Sequence, residues 1–228
     1  MKVLVLGDGL LGSEIVKQSG WSYISRKSLG ASILDNLDLY LDECFKYDVI
    51  VNCIAFTKTY SEDRQQNWDL NFKIVVDLSN FCQTEGKKLV HISTDYIYSD
   101  SITHAKETDV PVHCKTWYGY TKLLGDGYAQ LNPDNLIIRT SFKPNPFPYD
   151  KAILQVGNFD YVDIISEKII KLVENGASGV YNVGSEPKTM YELAKRTKPM
   201  VEYTTDSVHN LMPRNIIMNT NKMEQFLK

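Results

Sequence analysis

The sequence lacks the features that mark membrane proteins and nucleic-acid-binding proteins. No apolar run approaches the ~20 residues that a helix needs to span a bilayer, and Met1 leads into only a short apolar run, unlike a signal peptide. The net charge of −3 provides no basic surface for nucleic acid. We therefore expect no membrane or nucleic-acid partner, and a cytoplasmic location.

Cysteine and histidine are also scarce. The chain of 228 residues has four of each, with no C-x-x-C pair and no histidine cluster: Cys44, Cys53, Cys82, Cys114, His91, His104, His113 and His209. This pattern argues against a disulfide framework and predicts no metal site. The remaining composition, 43% hydrophobic and 23% charged, is that of an ordinary globular protein large enough for one sizeable domain.

A glycine-rich turn follows the first apolar run. Residues 2–6 read as a buried strand, Gly7-Asp8-Gly9-Leu10-Leu11-Gly12 matches G-x-G-x-x-G, and a helical pattern comes next. Gly7 permits a tight turn, Gly9 lets the backbone approach a pyrophosphate, and Gly12 lets helix and strand pack closely. Leu10 and Leu11 lie within this turn and are expected to contact the cofactor, and the free N–H groups of the helix that follows from Ser13 would face the phosphates. The pattern favours dinucleotide binding over a purely structural turn.

The residues after the second predicted strand (21–24) indicate which dinucleotide binds. A site for NAD usually has an acidic residue there, which holds the ribose 2′-hydroxyl. This chain has Ser25, Arg26 and Lys27 instead. A guanidinium favours a 2′-phosphate, so we predict NADPH, with NADH and a merely solvated basic turn as the alternatives.

Strand and helix patterns alternate through the first 140 residues. Strands are predicted at 48–55, 88–93 and 136–139, and helices at 33–45, 68–85 and 117–131. Such alternation with short connections predicts an α/β fold, a Rossmann-type doubly wound parallel sheet. Pro144, Pro146 and Pro148 then impose an extended loop. We therefore divide the chain into a dinucleotide-binding domain, 1–141, and a small substrate-binding portion, 142–228, part of which returns to the sheet.

Three residues in the predicted fold suggest acid–base chemistry. Tyr118 and Lys122 are four residues apart, which places both on one face of a helix. A nearby positive charge favours the phenolate and moves the tyrosine pKa towards neutrality. Thr94 follows a strand at its carboxyl end, where α/β sheets bind ligands, and its hydroxyl can hold a carbonyl oxygen. The alternative is an amphipathic helix with one half-buried ring and one solvated lysine.

With these residues in place, the chain resembles an extended short-chain dehydrogenase/reductase of the dTDP-4-dehydrorhamnose reductase branch. The resemblance lies in the glycine turn and in the segments 51–57, 93–98, 118–123, 138–141, 178–184 and 212–215. The chain departs from the family in having a glycine turn one residue tighter, Phe142 where tryptophan is usual, and a shortened proline-rich loop and C-terminal region. These departures leave the exact substrate open.

The resemblance implies a function and a set of site residues. Thr94 would bond the keto oxygen, Tyr118 would donate the proton, and Lys122 would hold the nicotinamide ribose. It also implies Asn52 and Ala55 as cofactor contacts, and Thr57, Tyr96 and Phe142 as sugar contacts. The leading hypothesis is NADPH-dependent reduction of a keto group on a nucleotide-linked deoxysugar. A nucleotide-sugar epimerase and a non-catalytic NADP-binding regulatory subunit are the alternatives. The sequence does not decide whether the chain forms a homodimer.

Overall fold

The structure is a computed structural model that describes residues 1–100, 104–109, 115–206 and 209–228. His113 and Cys114 lie outside the described residues. The strands are β1 (Val3–Leu6), β2 (Ser22–Ile24), β3 (Val49–Asn52), β4 (Lys88–Ile92), β5 (Leu136–Thr140), β6 (Phe142–Lys143), β7 (Lys151–Ile153), β8 (Val156–Gly157), β9 (Asp160–Tyr161), β10 (Gly179–Val183), β11 (Lys188–Thr189), β12 (Glu202–Thr204) and β13 (Asn215–Ile216).

Helices follow most of the longer strands. They are α1 (Leu10–Ser19), α2 (Arg26–Leu29), α3 (Leu37–Cys44), α4 (Arg64–Trp68), α5 (Ile74–Thr84), α6 (Trp117–Ala129), α7 (Val162–Glu174), α8 (Met190–Lys195) and α9 (Asn221–Phe226). A π-helical turn, Asp69–Lys73, joins α4 to α5, and a 3₁₀ turn, Asp95–Tyr98, follows β4. Within the described residues, no helix is both long enough and apolar enough to cross a membrane.

Six parallel strands form the central sheet, in the order β10-β5-β4-β3-β1-β2. The chain passes from β1 to β2 on one side and then crosses to β3 on the other side. The strand order therefore reverses next to β1, which is where open α/β sheets bind ligands beyond their carboxyl ends.

Helices cover both faces of this sheet. One hydrophobic core joins alternate residues of β1 to α1 and α7, and includes Val3, Val5, Ile15 and Ile169. The other core joins the opposite face of β1 to α3 and α5, and includes Leu4 and Leu78. Because β1 is buried on both faces, its sequence is a continuous apolar run. The predicted Rossmann-type doubly wound sheet is confirmed.

Two predicted helices begin at different residues in the structure. The helix expected at 33–45 begins only after Asn36, whose side chain accepts a hydrogen bond from Leu39 N–H and caps α3. Asn36 thus interrupts the helical pattern of the sequence because it is the N-cap of the helix, a position that favours asparagine. The helix expected at 68–85 begins four residues earlier, at Arg64, and contains the π-helical turn. The short helix α2 was not predicted.

The residues after β5 form a small lobe and then return to the sheet. Phe142 pairs with Asp160 in the β6–β9 pair, which leads directly into α7. Between and after these strands, Phe147, Phe159, Leu193 and other residues form a separate small core. Strand β10 then adds to the edge of the main sheet beside β5. The domain division at residues 141 and 142 stays a prediction.

The close approach of α6 to the π-helical turn gives a stability prediction. A Cβ atom on Gly125 would lie 2.4 Å from the Asn71 carbonyl oxygen, whereas a Cβ on Gly127 would meet nothing within 4 Å. We expect Gly125→Ala to lower the free energy of unfolding by about 1–3 kcal/mol through overpacking. Gly127→Ala, in the same helix, should raise it by about 0.5–1 kcal/mol. Urea denaturation of both variants tests this, and an equal effect of the two would contradict it.

Candidate active site

The glycine turn has the geometry of a phosphate-binding site. Gly7 has φ +98°, and a Cβ on Gly12 would lie 2.1 Å from the Gly7 carbonyl oxygen, so α1 passes close to the end of β1. Gly9 forms the N-cap of α1, and no side chain caps this end of the helix. A Cβ on Gly9 would meet nothing within 4 Å. The open backbone and the uncapped positive end of the helix dipole fit a pyrophosphate.

Ser25 and Arg26 lie next to this turn, at the carboxyl end of β2. The Ser25 hydroxyl is buried, donates to Asp8 Oδ2 at 3.0 Å and caps α2 by accepting from Ser28 N–H. The Arg26 side chain is in the first turn of α2 and exposed. Ser25 thus has a structural role in fixing the turn, while the binding of a phosphate by Arg26 stays a prediction.

A cavity of about 400 Å³ opens beyond the carboxyl ends of β1, β3, β4 and β5. It brings together residues predicted separately as cofactor, catalytic and sugar contacts: Gly9, Leu10, Leu11, Gly12, Ala55, Thr57, Thr94, Tyr96, Tyr118, Lys122 and Phe142. The predicted residues Gly7, Ser25, Arg26 and Asn52 lie outside its lining. The roles assigned to all of these residues remain predictions.

Asn52 and Tyr96 support the walls of the cavity. Asn52 is buried at the end of β3, and its Oδ1 accepts a hydrogen bond from Ile54 N–H, which shapes the turn leading to Ala55. Its Nδ2 has no partner among the described residues. The Tyr96 hydroxyl lies 2.8 Å from that of Tyr60. Sequence reasoning missed Tyr60, because no pattern links it to Tyr96.

Helix α6 places Tyr118 and Lys122 in the same cavity. Thr116 caps the helix by accepting from Gly119 N–H at 3.0 Å, so Tyr118 lies in its first turn. Although Tyr118 is partly accessible, desolvation of its phenol raises its pKa to about 12, against a smaller lowering by the Thr94 hydrogen bond. Tyr118 is therefore protonated at neutral pH, which is the form that a proton donor needs.

The lysine differs from the expectation. Lys122 is buried and donates to the Ile92 carbonyl oxygen at 2.5 Å. Burial lowers the pKa of Lys122 to about 8, although the Asp126 carboxylate raises it. The two side chains share a cavity, but the net shift of the Tyr118 pKa is upward. The cost of desolvating the phenolate exceeds any benefit from the ammonium.

A buried ion pair holds α6 against the sheet. Arg139 on β5 donates from Nε and Nη2 to the two carboxylate oxygens of Asp126, both at 2.9 Å. Arg139 also donates to the Tyr98 hydroxyl. Asp126 follows Lys122 by four residues, a spacing that places it on the same helix face and was available in the sequence. The identity of its partner, Arg139 on β5, was not available in the sequence.

The comparisons with known proteins agree with this geometry. Residues 1–143 match the family model of the RmlD substrate binding domain. Among curated proteins, the spore coat polysaccharide biosynthesis protein SpsK of Bacillus subtilis is 28% identical over 93% of this chain and 86% of its own length. A dTDP-4-dehydrorhamnose reductase of Aggregatibacter actinomycetemcomitans is 26% identical, but the match covers 64% of this chain and only 49% of that protein.

Solved structures match over nearly the whole chain. A hypothetical dTDP-4-dehydrorhamnose reductase from Sulfolobus tokodaii superposes with a TM-score of 0.83 at 25% identity, covering 99% of this chain and 94% of the other. A dTDP-4-dehydrorhamnose reductase of Bacillus anthracis, in complex with NADP, has a TM-score of 0.80 at 22% identity, covering 99% and 92%. The glycine turn, the cavity and the matched family model together establish that the chain belongs to the RmlD substrate binding domain family, as an extended short-chain dehydrogenase/reductase similar to dTDP-4-dehydrorhamnose reductase.

Proposed function

We propose that the chain is an NADPH-dependent reductase of a keto group on a nucleotide-linked deoxysugar. The observation that carries this proposal is a single cavity, which holds Thr94, Tyr118 and Lys122 beside the glycine turn. Hydroxyl, phenol and ammonium groups next to a dinucleotide site are the set that carbonyl reduction requires. The names of the relatives, which are sugar-nucleotide reductases, support the same reaction.

Each polar group has a distinct part in the proposed reaction. NADPH, when bound, supplies the hydride. Tyr118, kept protonated by burial, donates its proton to the carbonyl oxygen as negative charge develops there. Thr94 orients that oxygen by a hydrogen bond. Lys122 lies deep in the cavity, where its ammonium can bind ribose hydroxyls of the cofactor and stabilise the phenolate that Tyr118 leaves behind.

The sugar end of the site lies beside these groups. Thr57, Tyr96 and Phe142 line the same cavity and are proposed as sugar contacts. An epimerase is not favoured, because Arg26 rather than an acid follows β2. A non-catalytic regulatory subunit would not need the three polar groups to converge. We also propose a cytoplasmic location, and a homodimer as the assembly to look for.

The proton donor can be tested with a matched pair of variants on α6. We expect Tyr118→Phe to lower turnover by about 10²–10⁴-fold, the usual contribution of a positioned general acid, while NADPH binding is nearly unchanged. Tyr120→Phe is the control, because the Tyr120 side chain is exposed and outside the cavity. NADPH oxidation with a panel of 4-keto-6-deoxy nucleotide sugars measures turnover.

Two results would contradict the proposal. Full activity in Tyr118→Phe would remove the assigned role of Tyr118. Tight NADPH binding by the unaltered protein, without turnover on any sugar of the panel, would favour the regulatory subunit.

Cofactor preference gives a separate prediction. A charge-assisted hydrogen bond to a 2′-phosphate is worth about 1.5–3 kcal/mol, so Arg26→Ala should weaken NADPH binding by about 10–100-fold. NADH binding should change little, because NADH has no 2′-phosphate. Lys27→Ala, at the exposed neighbouring position, is the control. Fluorescence titration with both nucleotides measures the two dissociation constants. An equal loss of affinity for NADPH and NADH would show that Arg26 does not bind the 2′-phosphate.

A further inference from the structure

With a substrate bound, the Thr94 hydroxyl would have more than one acceptor for its single hydrogen. Its Oγ1 accepts a hydrogen bond from Tyr96 N–H at 3.2 Å and donates a long one to Asp95 Oδ1 at 3.4 Å. A hydroxyl has one hydrogen to donate and two lone pairs to accept. A substrate carbonyl oxygen can only accept. When substrate is bound, its carbonyl and an ionised Asp95 would therefore compete for the same hydrogen, beside the Tyr118 phenol that also hydrogen-bonds Thr94.

Protonation of Asp95 would remove this competition. A carboxylic acid has a hydrogen of its own and can donate it to Thr94 Oγ1. Thr94 would then accept from Asp95 and from Tyr96 N–H, and its own hydrogen would be released towards the cavity. The Thr94–Asp95 contact is long for a bond between two oxygens, so reversing its direction breaks no strong interaction.

The surroundings of Asp95 favour its protonated form. The residue is completely buried, and its Oδ2 has no hydrogen-bond partner among the described residues. Burial raises the pKa of Asp95 to about 7, against a lowering by the Lys143 ammonium and by hydrogen bonds from Thr94 and backbone N–H groups. The other titratable groups that interact with it are the phenols of Tyr96 and Tyr118.

We propose that Asp95 is a positioning residue for carbonyl reduction, which in its protonated form donates to Thr94 Oγ1 and so directs the Thr94 hydrogen to the substrate carbonyl. Asp95 itself does not line the cavity and acts through Thr94. This inference rests on the proposed function. It adds a requirement that the catalytic residues alone do not impose, because activity now needs a neutral carboxyl group behind Thr94.

The sign of the pH dependence follows from this requirement. The active form is the protonated one, so kcat/KM should fall as the pH rises through about 7. Between pH 6 and pH 8 the protonated fraction of such a group falls about tenfold. A second fall is expected above pH about 8, where the Lys122 ammonium loses its proton.

Asp95→Asn separates these two effects. The amide has nearly the shape of the acid and a permanent N–H donor for Thr94 Oγ1. We expect this variant to keep activity at pH 6 within about tenfold of the unaltered enzyme, a range below the loss expected for a missing general acid. The fall near pH 7 should disappear, leaving the one above pH about 8. A fall near pH 7 that persists in Asp95→Asn would overturn the proposal.

The Lys143 ammonium provides a second variant. Lys143→Met removes a positive charge that favours ionised Asp95, so the fall near pH 7 should move to higher pH. Lys143 also lines the cavity, so the position of the fall, not the absolute rate, is the readout. Lys171→Met, which removes an exposed lysine in an ion pair on α7, is the control and should leave the pH profile unchanged.

An NMR titration decides the question without turnover. In protein with ¹³C-labelled aspartate carboxyl groups, the Asp95 signal is identified by its absence in Asp95→Asn. We expect its midpoint near pH 7, and a higher midpoint in Thr94→Val, which lacks the hydroxyl donor that favours the carboxylate. A midpoint below pH 5 would refute the inference. Absence of turnover at every pH would instead refute the proposed function, while the titration would still test Asp95.

Discussion

The position of helix α6 against the sheet is the constraint on which the site depends. Tyr118 and Lys122 reach the cavity from α6, which packs against α5 and β4 and is joined to β5 by a buried ion pair. The buried pair between Asp126 and Arg139 fixes that position with two parallel hydrogen bonds. Removing either partner of such a pair leaves an uncompensated buried charge, which typically costs about 3–5 kcal/mol. The absence of a side chain at Gly125 also lets the π-helical turn pack closely against α6.

Desolvation is the common cause of the pKa shifts in this site. It raises the pKa values of Tyr118 and Asp95 and lowers that of Lys122, so three ionisable groups favour their neutral forms. Two of these neutral groups are hydrogen donors pointing towards Thr94 or the cavity. In a site built in this way, burial keeps the protons on the donor groups, although it also makes these groups weaker acids. Such groups are expected to cluster where chemistry takes place.

Much of the fold was predictable from the sequence because its signals are local. The apolar runs of β1, β3, β4 and β5, the glycine turn and the spacing of Tyr118 and Lys122 each lie within one short segment. The convergence of Thr94, Tyr118 and Gly9 on one cavity followed from the rule that parallel strands present their carboxyl ends at one edge. That rule needs only the order of the elements.

The features of the site that could not be predicted depend on contacts between segments that are distant in the sequence. The hydrogen bond from the Ser25 hydroxyl to Asp8 could not be predicted from the sequence, because it joins two separate segments. The contact of Ser25 with the cofactor stays a prediction. The direction of the Tyr118 pKa shift depends on how deeply the phenol is buried, and a sequence carries no measure of depth. The same holds for Asp95 and Lys143, which are brought together by β4 and β6. Their separation in sequence gave no reason to pair them.

The buried Lys122 has a consequence for the folded protein as a whole. Its pKa in the native state, about 8, is below the 10.5 of an unfolded lysine, so folding favours the uncharged amine. The sign of the pH dependence follows by linkage. Below pH 8 the buried lysine is charged and lowers the free energy of unfolding by its full desolvation cost, and the free energy of unfolding rises as the pH rises from 8 to 10.5. A bound molecule whose oxygen atoms accept hydrogen bonds from this ammonium would offset part of the desolvation cost and stabilise the native state by mass action. The heat resistance of this protein should therefore report on occupancy of its own cavity.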